Sequence, residues 1–250
     1  MPRIITLLTD FGSADGYVGE MKGVLATNAP DCAVVDIAHD VTAHDVESGR
    51  LALARYWRRF PEGTVHVVVV DPRVGGPRVA LAVESEGRFL VGPDNGVLSA
   101  ALLYPGARCV VLPVPASASP TFHGRDVFAP AAAQLGQGAP LDALGMPFSE
   151  PIVMRTPEAT RLADGATSGT VIAIDRFGNV ITNLVARRGG TIEAAGRILG
   201  IAHTYSDVPT GSAVALVGSS GLVEIAVRDG CAAAELRLAR GDEVILRHHS

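Results

Sequence analysis

The sequence predicts an α/β protein: an amino-terminal domain on a parallel sheet with helices on both faces, then a smaller carboxy-terminal all-β barrel. Three observations lead there. Up to about residue 155, short β-branched apolar runs alternate with segments of helical periodicity. A stretch over 151–167 then mixes Pro, Glu, Arg, Asp and Gly without a period. Beyond it come short strand-like runs punctuated by Gly178, Gly211, Gly218, Gly221 and Gly230. Strand–helix–strand repetition implies parallel strands, whereas closely spaced strands and turns imply a barrel or sandwich. The expected domains are 1–160 and 161–250.

In chain order, 4–9, 33–37 and 65–70 read as buried strands because they are apolar and rich in Val and Ile. Each runs into a polar cluster: Thr9-Asp10-Phe11-Gly12, the acidic run over 36–40, and Asp71-Pro72-Arg73. Segments 17–28 and 46–60 read as helices; in the second, Val46, Leu51, Leu53, Ala54 and Trp57 alternate with Glu47, Arg50, Arg55, Arg58 and Arg59. Another helical run covers 127–135, with Asp126 as its expected N-cap. In the second half, strands are expected over 169–174, 179–184, 212–217, 222–227 and 243–248. Asp175-Arg176-Phe177-Gly178-Asn179 and Gly218-Ser219-Ser220-Gly221 read as tight turns between them.

Composition narrows the function. A chain of 250 residues at 48% hydrophobic and 19% charged has ample material for a core. A net charge of −5 argues against a nucleic-acid partner, which needs a basic face. No run approaches the roughly 18 apolar residues of a spanning helix, and the first residues lack a signal peptide's apolar region, so a soluble cytoplasmic protein is expected. Cys32, Cys109 and Cys231 are isolated in apolar company and read as buried thiols. Lys22 is the only lysine among 21 Lys and Arg residues, which leaves guanidinium as the main cationic tool.

In a parallel sheet with helices on its faces, ligand sites lie beyond the carboxyl ends of the strands, where the Asp-rich clusters fall. Asp71-Pro72-Arg73-Val74-Gly75-Gly76-Pro77-Arg78 leaves the most apolar strand as a tight loop with one carboxylate and two guanidiniums. It reads equally as a structural ion pair or as catalytic machinery. Thr121-Phe122-His123-Gly124-Arg125-Asp126 places a histidine just ahead of a helix start. Thr9-Asp10-Phe11-Gly12 with Asp15 forms an acidic loop suited to ribose hydroxyls, but no phosphate-binding glycine motif follows the first strand. The two His-Asp pairs of the 36–45 segment suit a metal hydrolase or, equally, a loop ending in a helix cap at Asp45.

Together these motifs resemble the S-adenosyl-L-methionine hydroxide adenosyltransferases, relatives of the fluorinases and chlorinases. TDFG, the HD-containing loop, VVDPRVGGPR, GPDNG, TFHGRD, DRFGNVITN and GSSGLVEIA follow one another in that family's order and spacing over nearly the whole chain. The resemblance implies an α/β domain and a β-barrel in a homotrimer, with substrate held where one subunit's first domain meets a neighbour's second. It implies a catalytic set of Asp71, Arg78 and His123, no metal and no cofactor, with S-adenosyl-L-methionine as substrate. Asp10 matches the carboxylate on the ribose hydroxyls, and Asp15 the one associated with the methionine amino group. Asp175 and Asn179 match contacts to the amino-acid and ribose parts, Phe177 an apolar wall, Ser219 the methionine-carboxylate contact, and the backbone of Val227 and Asp229 the adenine contact. Phe122 and Glu224 complete the implied binding set, and His44 stands where a bulky apolar residue often covers the ribose.

The halide-using branch has tyrosine in place of Asp71 and serine in place of Gly124, so the chain resembles the water-using branch. The implied reaction is attack of water or hydroxide on the ribose 5′-carbon, releasing neutral L-methionine. The alternatives are a halide-dependent adenosyltransferase, a non-catalytic binding module for S-adenosylmethionine or a nucleoside, and a metallohydrolase.

Overall fold

The computed structural model describes residues 3–186 and 189–248, which fall into two compact units divided between Met154 and Arg155. The first holds strands β1 (Ile4–Thr9), β2 (Ala33–Ala38), β3 (Val65–Val69), β4 (Ala80–Ser85), β5 (Arg88–Pro93), β6 (Arg108–Leu112) and β7 (Met146–Pro147). They form one sheet in the order β2-β1-β3-β5-β4-β6-β7. The β2-β1-β3-β5 part is parallel, and β4, β6 and β7 continue it antiparallel.

Strands β1 and β3 lie in the middle, and their mostly apolar residues are buried on both faces. Their alternating side chains feed two layers. Ile5, Leu7, Val65, Val67 and Val69 pack beneath helices α1 (Tyr17–Asn28) and α4 (Ala129–Gln137). Leu8, Val68 and Val70 pack on the opposite face beneath α2 (Val46–Tyr56) and the short α3 (Ser99–Leu102). Asp45 caps α2 as expected, its carboxylate accepting from the Ser48 amide at 3.0 Å. The helix stops at Tyr56 and tightens into a 3-10 turn over Trp57–Arg59.

The β4–β5 pair turns through Glu86-Gly87, both in the left-handed region at φ 46° and 69°, the geometry of a two-residue hairpin whose twist matches its strands.

The second unit contains β8 (Thr160–Arg161), β9 (Thr167–Ile174), β10 (Val180–Thr182), β11 (Gly190–Ala194), β12 (Arg197–Ala202), β13 (Ala213–Val217), β14 (Val223–Val227) and β15 (Glu243–His248). The order β10-β14-β13-β12-β11-β15-β9 returns to β10 through a β9–β10 pairing, so these strands close into a barrel, and β8 flanks β9. All neighbours are antiparallel except β12 and β13. Inward residues such as Val171, Ile192, Val223, Ile225, Val244 and Leu246 fill it, and α5 (Ala232–Leu236) adds Ala232 and Leu236 to that core. Among the described residues, no helix is long and apolar enough to cross a membrane.

Candidate active site

The sheet's connections reverse at β1, which has β2 on one side and β3 on the other. The crevice beyond the carboxyl ends of β1 and β3 is where such sheets bind ligands. Asp10 and Asp71 leave those two strands. A pocket of about 320 Å³ opens there, lined by Phe11, Tyr17, Asp71, Phe122, His123 and their neighbours.

Asp71 and Arg78 face each other across the two ends of one loop. The Arg78 Nε donates to both carboxylate oxygens at 3.1 and 3.0 Å, and its Nη2 donates to Asp71 Oδ2 as well. The side chains are only 4% and 5% exposed, so breaking the pair would strand a buried charge, a cost of about 3–5 kcal/mol. Gly75 lets this loop press against the 119–123 segment: at φ 73°, a Cβ there would lie 2.2 Å from the Pro120 carbonyl oxygen.

The same Nη2 donates to His123 Nδ1 at 2.9 Å. A guanidinium has no acceptor, so Nδ1 must offer its lone pair, and the neutral ring carries its proton on Nε2. Burial and the Arg78 charge both hold the His123 pKa below its usual value, against the opposing pull of Asp71 and Asp126. The remaining guanidinium nitrogen, Nη1, is buried with no hydrogen-bond partner. It is a fixed cationic donor awaiting an acceptor.

His123 stands before a π-helical turn over Gly124–Phe128 that leads into α4. Asp126 is therefore not the expected N-cap. It sits inside that turn, where its carboxylate accepts from the Ser119 amide at 2.8 Å and from Arg125 Nε at 2.7 Å. The wider turn satisfies the backbone there without a side-chain cap, and single π turns recur at functional sites.

Asp10 Oδ2 accepts from the His44 amide at 2.8 Å, which fixes the carboxylate beside a residue at φ 67°. Behind it, Thr9 Oγ1 bonds His39 Nδ1 at 2.9 Å. In the 36–45 segment, Asp36 is engaged by Lys22 at 2.6 Å and His39 at 3.1 Å, and Asp45 caps a helix. Among the described residues, no group of three or more His, Cys, Asp or Glu could hold a metal ion. Asp15 is exposed on the loop ahead of α1.

In the second unit, Asp175 closes the β9–β10 turn, accepting from the amides of Phe177 and Asn179 at 2.9 Å each and from Asn179 Nδ2 at 3.0 Å. This lifts Phe177 outward, 76% exposed. Val227 ends β14 and Asp229 follows it, its carboxylate accepting from Thr210 at 2.8 Å. The Gly178 carbonyl accepts from Ala233 at 3.0 Å, so the turn and the stretch after β14 are neighbours. Ser219 lies at the other end of β14, in the β13–β14 turn, near Glu224, which accepts from the Tyr205 hydroxyl at 2.5 Å. The structure thus gathers Asp71, Arg78, His123 and Phe122 in the first unit and Asp175, Phe177 and Asn179 in the second. Tyr17 went unnoticed in the sequence: it meets Phe122 edge-on at 5.2 Å and lines the pocket, but its position in an apolar helical run resembles core.

The chain matches the SAM hydroxide adenosyltransferase N-terminal domain over residues 5–145 and the C-terminal domain of the same family over residues 169–245. It belongs to the SAM hydroxide adenosyltransferase family. It is 43% identical to the (R)-S-adenosyl-L-methionine hydrolase of Thermus thermophilus, covering 98% of this chain and 99% of that one. A crystal structure of an uncharacterized conserved protein from Thermotoga maritima superposes with a TM-score of 0.89 at 32% identity, over 98% of this chain and 100% of the other. The fluorinase of Actinopolyspora mzabensis is a more distant family relative, 31% identical over 72% of this chain and 71% of its own. Asp71, Arg78 and His123 all fall within the N-terminal family match.

Proposed function

We propose that this family member hydrolyses S-adenosyl-L-methionine to adenosine and L-methionine, with water or hydroxide attacking the ribose 5′-carbon. The observation that carries the reading is the buried Asp71–Arg78–His123 set, in which Asp71 and His123 line the pocket and Arg78 keeps an unpartnered Nη1. The sulfonium is already a good leaving group, so the protein's task is the nucleophile. As the oxygen–carbon bond forms, the carbon–sulfur bond breaks and its electron pair leaves with the methionine sulfur. The proton lost by water passes to Asp71, which lines the pocket. Arg78 supplies charge-assisted donors that stabilise developing hydroxide, and the Nε2–H of neutral His123 orients it. His123 is thus a positioner in this mechanism, since its Nδ1 lone pair is occupied by Arg78.

By resemblance to the family, Asp10 holds the ribose hydroxyls and Asp15 the methionine amino group. His44, Phe122, Asp175, Phe177, Asn179, Ser219, Glu224, Val227 and Asp229 complete the substrate site. The amino-terminal domain carries the chemistry and the barrel contributes adenine and methionine contacts, in a cytoplasmic homotrimer that needs no cofactor.

The 43% identity to a named hydrolase over nearly the full length favours water over halide as nucleophile. Gly124 points the same way, because a Cβ there would come within 3.2 Å of Met21 Sδ and of the Phe11 and Phe122 rings. The test is incubation with S-adenosyl-L-methionine in heavy-oxygen water, with chelator and no halide. Labelled 5′-hydroxyl in adenosine with one equivalent of unlabelled methionine is the expected result. Turnover only on adding halide favours the 5′-halogenase alternative, and substrate bound but unconsumed favours a binding module.

A further inference from the structure

We infer that Asn95, on the turn after β5, is a positioning residue that sets the geometry of the Asp71–Arg78 pair by holding the Asp71 end of their loop, while the backbone of its neighbour Asp94 holds the other end. Its side-chain Nδ2 donates to the carbonyl of Val70, the residue before Asp71, at 2.8 Å. The backbone amide of its neighbour Asp94 donates to the carbonyl of Val79, the residue after Arg78, at 3.0 Å. Two consecutive residues of one turn therefore hold the peptide that enters Asp71 and the residue that follows Arg78.

The turn is itself held from several sides. Asn95 Oδ1 accepts from the Val97 amide at 3.1 Å, so the carboxamide donates and accepts at once. A carboxylate of the same shape only accepts, and an aliphatic side chain does neither. Asp94 Oδ1 accepts from the Ile152 amide at 2.8 Å. Gly96 sits at φ 95° where a Cβ would lie 2.4 Å from Met154, and one on Gly92 would lie 2.4 Å from the Val68 carbonyl oxygen. Gly92 allows the close approach of this segment to β3, and Gly96 lets the turn pack against Met154. Asn95 bonds the Val70 carbonyl and the Val97 amide and does not line the pocket, so it acts through the backbone and not on substrate.

The activity part of the test rests on the proposed hydrolysis; the spectroscopic part does not. Asn95→Asp keeps the shape and the Val97 contact but loses the donor to Val70. The expected result is a fall in kcat of about 10- to 100-fold per folded molecule, with KM changed less than about 3-fold, because the lost bond aims groups that act in the transition state. Imidazole nitrogen NMR should show His123 in one tautomer in the wild type and in mixed tautomers in the variant. Should Asn95→Asp fail to fold, Asn95→Ala, which removes the donor without adding a charge, carries the same comparison. Wild-type kcat with a single His123 tautomer overturns the inference, as does a loss of activity fully matched by loss of folded protein. If the wild type itself turns over no S-adenosyl-L-methionine, the hydrolase reading falls while the tautomer comparison still decides the role of Asn95.

Discussion

Arg78 spends two of its nitrogens on Asp71 and His123 and keeps the third, Nη1, buried and unpaired. A lysine carries the same charge but not the planar fork that reaches both partners and still presents a third nitrogen. Arg78→Lys should therefore lower kcat by about 10²–10³-fold, the usual effect of losing a preorganised donor to developing negative charge. Binding of S-adenosyl-L-methionine, measured by calorimetry, should change far less. His123 gives a second expectation. Its ring must stay neutral to accept from Arg78, and its pKa is depressed from 6.5, so kcat should hold steady on acidification through pH 6.5 and decline only below it. A pH–rate profile measures this directly; an acid limb above pH 6.5 would contradict it. The sequence made the identities of Asp71, Arg78 and His123 legible, since they stand in recognisable motifs. It could not show the empty Nη1 or the tautomer, because both depend on groups from separate segments meeting in one buried place.

Several elements were readable to the residue: Ile4–Thr9, Tyr17–Asn28 and Glu243–His248 form as expected. The β4–β5 and β11–β12 hairpins were not. Both turn through two left-handed residues, Glu86-Gly87 and Ala195-Gly196, and neither Glu nor Ala is a residue that signals such a turn. Packing of the flanking strands imposes a backbone that their side chains resist by about 1–2 kcal/mol. Ala195 is exposed and stands at φ 49°, so Ala195→Asn should raise stability by about 0.5–1 kcal/mol. Denaturant unfolding should show a higher midpoint with an unchanged slope. Asp126 failed in the opposite way: a good capping residue was present, but the π turn left no cap for it to make.

At the scale of the molecule, both the sheet-and-helix layer and the barrel were foreseen, while the antiparallel half of the first sheet was not. Ala80–Ser85 and Arg108–Leu112 are as apolar as any parallel strand and say nothing of direction. One buried group at the centre of that sheet ties stability to pH. His66 bonds Thr6 Oγ1 at 2.8 Å, and burial, aided by Arg88, lowers its pKa from 6.5 to about 3. The unfolded chain thus binds a proton that the folded chain refuses. Stability is full above about pH 6.5 and should fall as pH drops toward 3, by up to about 1.4 kcal/mol per pH unit. His66→Phe should flatten that slope in denaturant titrations across the range, whatever it does to stability at neutral pH. The sheet's outermost strand has a consequence of another kind. β7 is two residues long, and Pro147 in it has no amide hydrogen, while the opposite margin on β2 carries Asp36 bound to Lys22. A foreign strand finds no continuous ladder to extend at the first border and a charged one at the second. Crowded or half-folded copies are thereby denied the simplest route into fibrils, a safeguard for a chain so rich in valine and alanine.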